Sequence, residues 1–108
     1  MSTTKNTNQL ETIRELEIIF KPRIISTERL SWNKLGDLNL LDLSYCEVTD
    51  EQLVMIYSLT SLQYLRLDNN QITDITGLEV FTNLKELWLG NNKIDDKTLD
   101  IKGCQIHY

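Results

Sequence analysis

His107 is the only histidine of this chain, and Cys104 stands three residues before it, a spacing at which a thiol and an imidazole can meet as nucleophile and general base. The pattern implies no third group to orient the imidazole, so catalysis is not expected. Asp95 and Asp96 come nearest to a cation site, but adjacent carboxylates more commonly open a turn. The chain has no cluster of Cys, His and carboxylates at metal-ligand spacing, no P-loop and no dinucleotide glycine pattern. The expectation is a protein without catalytic residues, metal or cofactor. Binding chemistry is better represented. Tyr64, Arg66 and Trp88 are of the types that most often dominate interface energy. In extended chain, the spacing of two puts Tyr64 with Arg66, and Glu86 with Trp88, on one face.

What must position those side chains is a phrase that recurs along the chain. Leu62, Leu65, Leu67, Asn70 and Ile72 are followed at a constant offset of 22 by Leu84, Leu87, Leu89, Asn92 and Ile94. The phrase opens earlier in Leu38, Leu41, Leu43, Cys46 and Val48, 24 residues upstream. This is the leucine-rich repeat pattern L-x-x-L-x-L-x-x-N-x-I, and a period of this size predicts stacked units. In L-x-L the leucines fall on one face of a short strand and the intervening residues on the other. One copy cannot bury its leucines; stacked copies form a parallel sheet over one continuous core. Asn70 and Asn92 stand where the chain turns inward, where their amides can satisfy the turn and link to the next repeat; Cys46 takes that place with a weaker donor.

The displayed positions are then Leu40, Asp42 and Ser44 in the first copy, Tyr64, Arg66 and Asp68 in the second, and Glu86, Trp88 and Gly90 in the third. Glu28, Arg29 and Ser31 before them, and Thr98, Asp100 and Lys102 after, extend the rows, with Tyr45 and Trp32 just beyond the strand ends. No helix is expected over this face, which leaves Trp88 and Leu40 in water, a mark of an interaction surface. The expected partner-binding set is Leu40, Asp42, Tyr45, Tyr64, Arg66, Asp68, Glu86 and Trp88.

The remaining segments read as follows. A disordered tail covers 1–7. A helix over 8–21, capped by Asn8 with Glu11 three places on, carries Leu10, Ile13, Leu16 or Glu17, and Phe20 on one face; Pro22 stops it, and its expected job is to cap the open edge of the repeat domain at 22–108. Leu30, Asn33 and Leu35 match half of the phrase and suggest a degenerate first repeat over 24–37. Full repeats follow at 38–61, 62–83 and 84–96. After Val48, Thr49 or Asp50 can cap a helix with Leu53, Ile56 and Leu59 inward, whereas the next link, interrupted by Gly77, should hold about one tight turn with Ile75, Leu78 and Phe81 inward. Leu99, Ile101, Cys104 and Ile106 reproduce the second half of the phrase and predict a truncated last repeat over 97–108, ending in an exposed edge strand. There Asp100, Lys102 and His107 would discourage pairing, and Cys46 and Cys104 would be buried thiols too far apart for a disulfide.

At 108 residues the chain is one domain, and its formal net charge of −5 argues against nucleic-acid backbones as ligand while suiting a partner with a basic surface. It has no apolar run near the ~20 residues of a membrane span and no signal-peptide pattern at the N-terminus. A cytoplasmic protein, or one delivered by a route that needs no cleavable signal, fits best.

The 22-residue copies with I-x-x-I/L in their link resemble the repeats of the nuclear regulator of protein phosphatase, the leucine-rich light chain of axonemal dynein, and the bacterial internalins. The resemblance is strict over Leu38 to Ile94. It implies an α/β fold, a short right-handed solenoid with a concave parallel sheet, short convex helices and an N-terminal capping helix. It also implies a non-catalytic module, an adaptor or an inhibitor that occupies a partner protein, binding on the concave face. Cys in place of Asn at two turns and the short last repeat depart from the pattern. The alternative is a self-associating unit that forms a homodimer through its C-terminal edge.

Overall fold

The computed structural model describes residues 4–20 and 27–108. Helix α1 (Thr7–Phe20) is followed by a 3-10 turn at Thr27–Arg29, strands β1 (Leu30–Trp32) and β2 (Leu38–Asp42), and helix α2 (Asp50–Leu53), which tightens into a 3-10 turn at Val54–Ile56. Then come β3 (Tyr64–Arg66), a 3-10 turn at Thr76–Val80, β4 (Glu86–Trp88) and β5 (Gln105–His107). The fold is mixed α/β, and the strands form one sheet in chain order. β2, β3, β4 and β5 are parallel neighbours, with Leu41, Leu65, Leu87 and Ile106 in one row.

The leucines of the phrase account for the sheet. Leu41, Leu65 and Leu87, with Leu43, Leu67 and Leu89 beyond the strands, are fully or almost fully buried. Ile72, Ile75, Leu78, Phe81 and the trio Leu53, Ile56 and Leu59 close the same core from the other side, as their spacing predicted. Thr49 caps α2 in a reciprocal capping box with Gln52, which satisfies two backbone donors at once. The link with Gly77 makes only the 3-10 turn. A side chain at position 77 would run into the Tyr57 ring, whose nearest atoms lie 2.4 Å from where a Cβ would be; that ring packs edge-on against Phe81, centroids 6.3 Å apart.

Several expectations are corrected. α1 is capped by Asn6, not Asn8: the Gln9 N–H donates to Asn6 Oδ1 at 3.1 Å. Asn6 wins because it is also fastened to the turn between β1 and β2, its N–H donating to Gly36 O at 2.7 Å and its Nδ2 to Asp37 Oδ1 at 3.1 Å. Residues 4–7 are therefore not a disordered tail; residues 1–3, Pro22 and the isoleucines at 24 and 25 lie outside the described residues. α1 buries Gln9, Ile13, Leu16 and Phe20, and the Gln9 amide joins the sheet, accepting from Leu38 N at 2.6 Å and donating to Ser61 Oγ at 2.7 Å.

Leu30, Asn33 and Leu35 do not form a first repeat. β1 runs antiparallel to β2, Leu30 opposite Leu41 and Ser31 opposite Leu40, whereas stacked repeats run parallel. Asn33 Oδ1 accepts from the N–H groups of Leu35 and Asp37, a tight turn completed by Gly36 at φ 85° that leaves Leu35 80% exposed. Trp32 is the last residue of β1 and packs against the core, with Lys5 Nζ 5.4 Å above its ring.

At the other end the sequence register is wrong by seven residues. Ile106, not Leu99, lies opposite Leu87. Ile101 is buried before a turn in which Cys104 N donates to Ile101 O at 3.0 Å, as Leu62 N does to Leu59 O and Leu84 N to Phe81 O. Cys104 thus stands where Leu62 and Leu84 stand, not at the Asn place, and it is half-buried. The last unit is shorter: its strand follows β4 by 19 residues, where β4 follows β3 by 22. β5 spends its alternate backbone groups on its inner neighbour, Gln105 N donating to Lys85 O at 2.9 Å and His107 O accepting from Leu89 N at 2.7 Å.

Candidate functional site on the sheet face

With the leucines fixed inward, strand alternation leaves the other face to two rows of side chains. Ser31, Leu40, Tyr64, Glu86 and Gln105 make one; Asp42, Arg66, Trp88 and His107 make the second. Of the expected extensions, Ser31 joins the first row. Glu28 and Arg29 sit in the 3-10 turn before β1, and Thr98, Asp100 and Lys102 precede β5, where Gln105 and His107 take their places.

The turns that hold these strands in register are built on asparagine. Asn70 Oδ1 accepts from Cys46 N and Val48 N at 3.0 and 2.9 Å, and its Nδ2 donates to Leu43 O and Leu67 O, both at 2.9 Å. Asn92 accepts from Ile72 N at 3.0 Å and donates to Leu67 O at 2.8 Å and Leu89 O at 3.0 Å. Each amide ties its own turn to the preceding unit, not to the next. At Cys46 the thiol reaches Ser44 O at 3.4 Å, and the guanidinium of Arg29 supplies the rest: its Nη1 donates to Ser44 O at 2.9 Å and Asp42 O at 3.2 Å, and lies 3.4 Å from Cys46 Sγ.

On the second row the side chains are stacked. The Arg66 guanidinium carbon lies 5.3 Å from the Trp88 ring centroid, and the His107 ring lies against Trp88 with centroids 5.3 Å apart and planes 16° from parallel. Both outer members are braced: Arg66 Nε meets Asp68 Oδ1 at 3.1 Å, and His107 Nε2 meets Glu86 Oε2 at 3.0 Å. Asp68 hydrogen-bonds the Arg66 guanidinium and holds its pKa above the ordinary arginine range. Asp42 accepts from the Ser44 N–H and hydroxyl and faces Arg29 at 3.8 Å. Tyr45, 65% exposed at φ 58°, stands at the rim beside them.

The structure thus brings Leu40, Asp42, Tyr64, Arg66, Asp68, Glu86 and Trp88 onto one surface. His107, the member that sequence reasoning placed elsewhere, lies at its end. The signal was available in Gln-Ile-His, an apolar residue flanked by two polar ones, which is the alternation of a short strand.

Cys104 and His107, the pair at nucleophile–base spacing, are each held in other contacts. Burial, with Glu86 nearby, pushes the Cys104 thiol pKa up, the opposite of what a nucleophile needs, and the His107 ring is engaged by Trp88 and Glu86. Asp96 accepts from the Thr98 hydroxyl and N–H, which lower its pKa, and so opens a turn. Among the described residues no group of three His, Cys, Asp or Glu side chains could hold a metal ion, and no helix is long and apolar enough to cross a membrane.

Parallel strands in chain order, an inward leucine set and an asparagine at the inner turns after β3 and β4 are the marks of a repeat protein. Residues 37–80 and 60–103 each match the family described as Leucine Rich repeats (2 copies), and the chain belongs to the leucine-rich repeat family. No curated protein and no solved structure matches it. Leucine-rich repeat proteins generally bind other proteins, and their repeat domains are typically non-catalytic.

Proposed function

We propose that this chain is a protein-binding module that uses the sheet face centred on Tyr64, Arg66 and Trp88, with Leu40, Asp42, Tyr45, Asp68 and Glu86 around them. One observation carries the reading: a tryptophan and an arginine, the commonest interface anchors, are held in a braced stack whose outer members, Arg66 and His107, keep 46% and 42% of their side chains exposed. In this reading the repeats at 38–61, 62–83 and 84–96 form a short right-handed solenoid, the anchors line its concave side, and α1 caps its first edge through Gln9, Ile13 and Leu16. The module serves as an adaptor or as an inhibitor that occupies its partner. The net charge of −5 suits a partner with a basic surface, and two cysteine thiols suit the cytoplasm.

The test is recovery of partners from native lysate with the natural chain and with Trp88→Ala, followed by affinity measurement on what is recovered. Truncating Trp88 or Tyr64 should weaken binding by about 2 kcal/mol or more, while Glu79→Ala on the far side leaves affinity unchanged. A partner insensitive to Tyr64, Arg66 and Trp88 but lost on altering α1 or β5 would end this reading. The second reading, self-association, is favoured by one feature, the open flank of β5 at the end of the sheet order. Particle size measured against concentration separates the two: a module stays monomeric, and a self-pairing unit does not.

A further inference from the structure

The stack on the second row has one member whose charge can change under mild conditions. Histidine is the side chain whose ordinary titration falls near neutral pH, and His107 lies between the face of Trp88 and the carboxylate of Glu86. Two effects follow when the imidazole takes a proton. Its contact with Glu86 becomes a charge-assisted hydrogen bond, roughly twice as strong as a neutral one. Its contact with Trp88 becomes a cation against an electron-rich ring, as the Arg66 contact already is. The charged and titratable groups around it are few. On β4 it faces Glu86; across Trp88 stands Arg66, its charge matched by Asp68; before β5 lies the Cys104 thiol, which also feels Glu86. Tyr108 follows it, under Lys97 Nζ at 5.4 Å.

We propose that His107 is a positioning residue for Trp88, and that protonation of its imidazole tightens the Arg66–Trp88–His107 stack, so that the anchor of this face is held more rigidly as the pH falls through the titration of His107. The consequence for affinity rests on the partner-binding reading above. A tryptophan already fixed in place gives up less conformational freedom on binding, so a ligand anchored on it is held more tightly at the acidic end.

The experiment needs no partner. The chain has two tryptophans, so Trp32→Phe leaves Trp88 as sole reporter, and its emission is followed from pH 8 to pH 5. A protonated imidazole in contact quenches indole, so the emission should fall along a single-proton curve. His107→Gln, which can still hydrogen-bond Glu86 but cannot titrate, should abolish the fall. Because Trp32 packs on the core, the Trp88 indole N–H and His107 ring resonances of the unaltered chain are followed by NMR over the same range as a second measurement; the two should titrate together. Emission that is flat, or that changes equally in His107→Gln, overturns the proposal, as do Trp88 and His107 resonances that titrate apart. The two readings fail separately: coupled titration together with a partner indifferent to Trp88→Ala sustains the clamp and removes the binding face, whereas a Trp88-dependent partner with uncoupled titration does the reverse.

Discussion

The turn after β3 and the turn after β2 face one backbone requirement and meet it differently. In both, carbonyls left over as the chain bends inward need donors. After β3 the donor is local: Asn70 serves the carbonyls of Leu67 and Asp68, three and two residues back, and reaches Leu43 O in the neighbouring unit. After β2 the residue at that place is Cys46, and the carbonyls of Asp42 and Ser44 are served by Arg29, from a turn that belongs to no repeat. A repeat pattern therefore specifies a need and not a residue. Where the first unit meets a non-repeat segment, that segment supplies the donor.

The comparison is sharpest at Asn70. Asn70→Ala strips partners from Cys46 N, Val48 N, Leu43 O and Leu67 O, and should cost about 3 kcal/mol in denaturant unfolding, a large part of the stability of so small a domain. Asn92→Ala, with one N–H in place of two, should cost about 2 kcal/mol. Arg29→Met keeps much of the stem but removes the guanidinium, and should cost ~1 kcal/mol, since its carbonyls are only partly sealed from water. A cost for Arg29→Met equal to that for Asn70→Ala would mean that the two turns are equivalent after all.

Asn69, one place before Asn70, tests inward against outward. It sits at φ 61°, so Asn69→Ala should cost about 1 kcal/mol from backbone strain alone, whereas Asn69→Gly should change little. Similar losses for both variants would show that the side chain, not the backbone, matters there.

Acid should act on the first unit. Asp50 at the start of α2 accepts from the Thr73 hydroxyl and from the Thr73 and Asp74 N–H groups of the next unit, and the Thr73 hydroxyl is the main reason its pKa is lowered, against a smaller upward push from burial. A folded pKa below the unfolded one means that this contribution is fully present above the ordinary carboxylate range, about 4, and is lost as the pH falls through the folded value. Unfolding midpoints from pH 6 down to pH 2 should therefore fall more steeply for the natural chain than for Asp50→Ala. Parallel curves would break the link between the two units. The smallest effect expected is kinetic. Half-buried Cys104, its pKa raised, should react slowly with a disulfide reagent and faster with rising pH, whereas Cys46 should wait for unfolding.

The middle of the chain was legible because its instructions are local. Leucine spacing and two asparagines are enough to place β2, β3 and β4, their register and the face holding Tyr64, Arg66, Glu86 and Trp88. The ends were not legible because their instructions are tertiary. Asn6 beats Asn8 as a cap through bonds to Gly36 and Asp37, about thirty residues on. Leu30 and Leu35 looked periodic, but the turn built by Asn33 and Gly36 reverses the chain between them. Leu99 and Ile106 both fit a strand pattern of period two, and only the buried place of Ile101 and the turn at Cys104 decide for Ile106. His107 was missed with that register, and with it the far side of the Trp88 stack.

The brevity of β5 bears on how the protein behaves when crowded. Gln105 and His107 turn their backbone groups toward β4, so alternation leaves Ile106 alone to offer an N–H and a carbonyl outward. A foreign strand docking there would gain two hydrogen bonds at about 1 kcal/mol each, and would pay about 1–2 kcal/mol for every residue it straightened. Such an edge is a poor template for fibril growth, and copies that met there would have to hold one another by side chains.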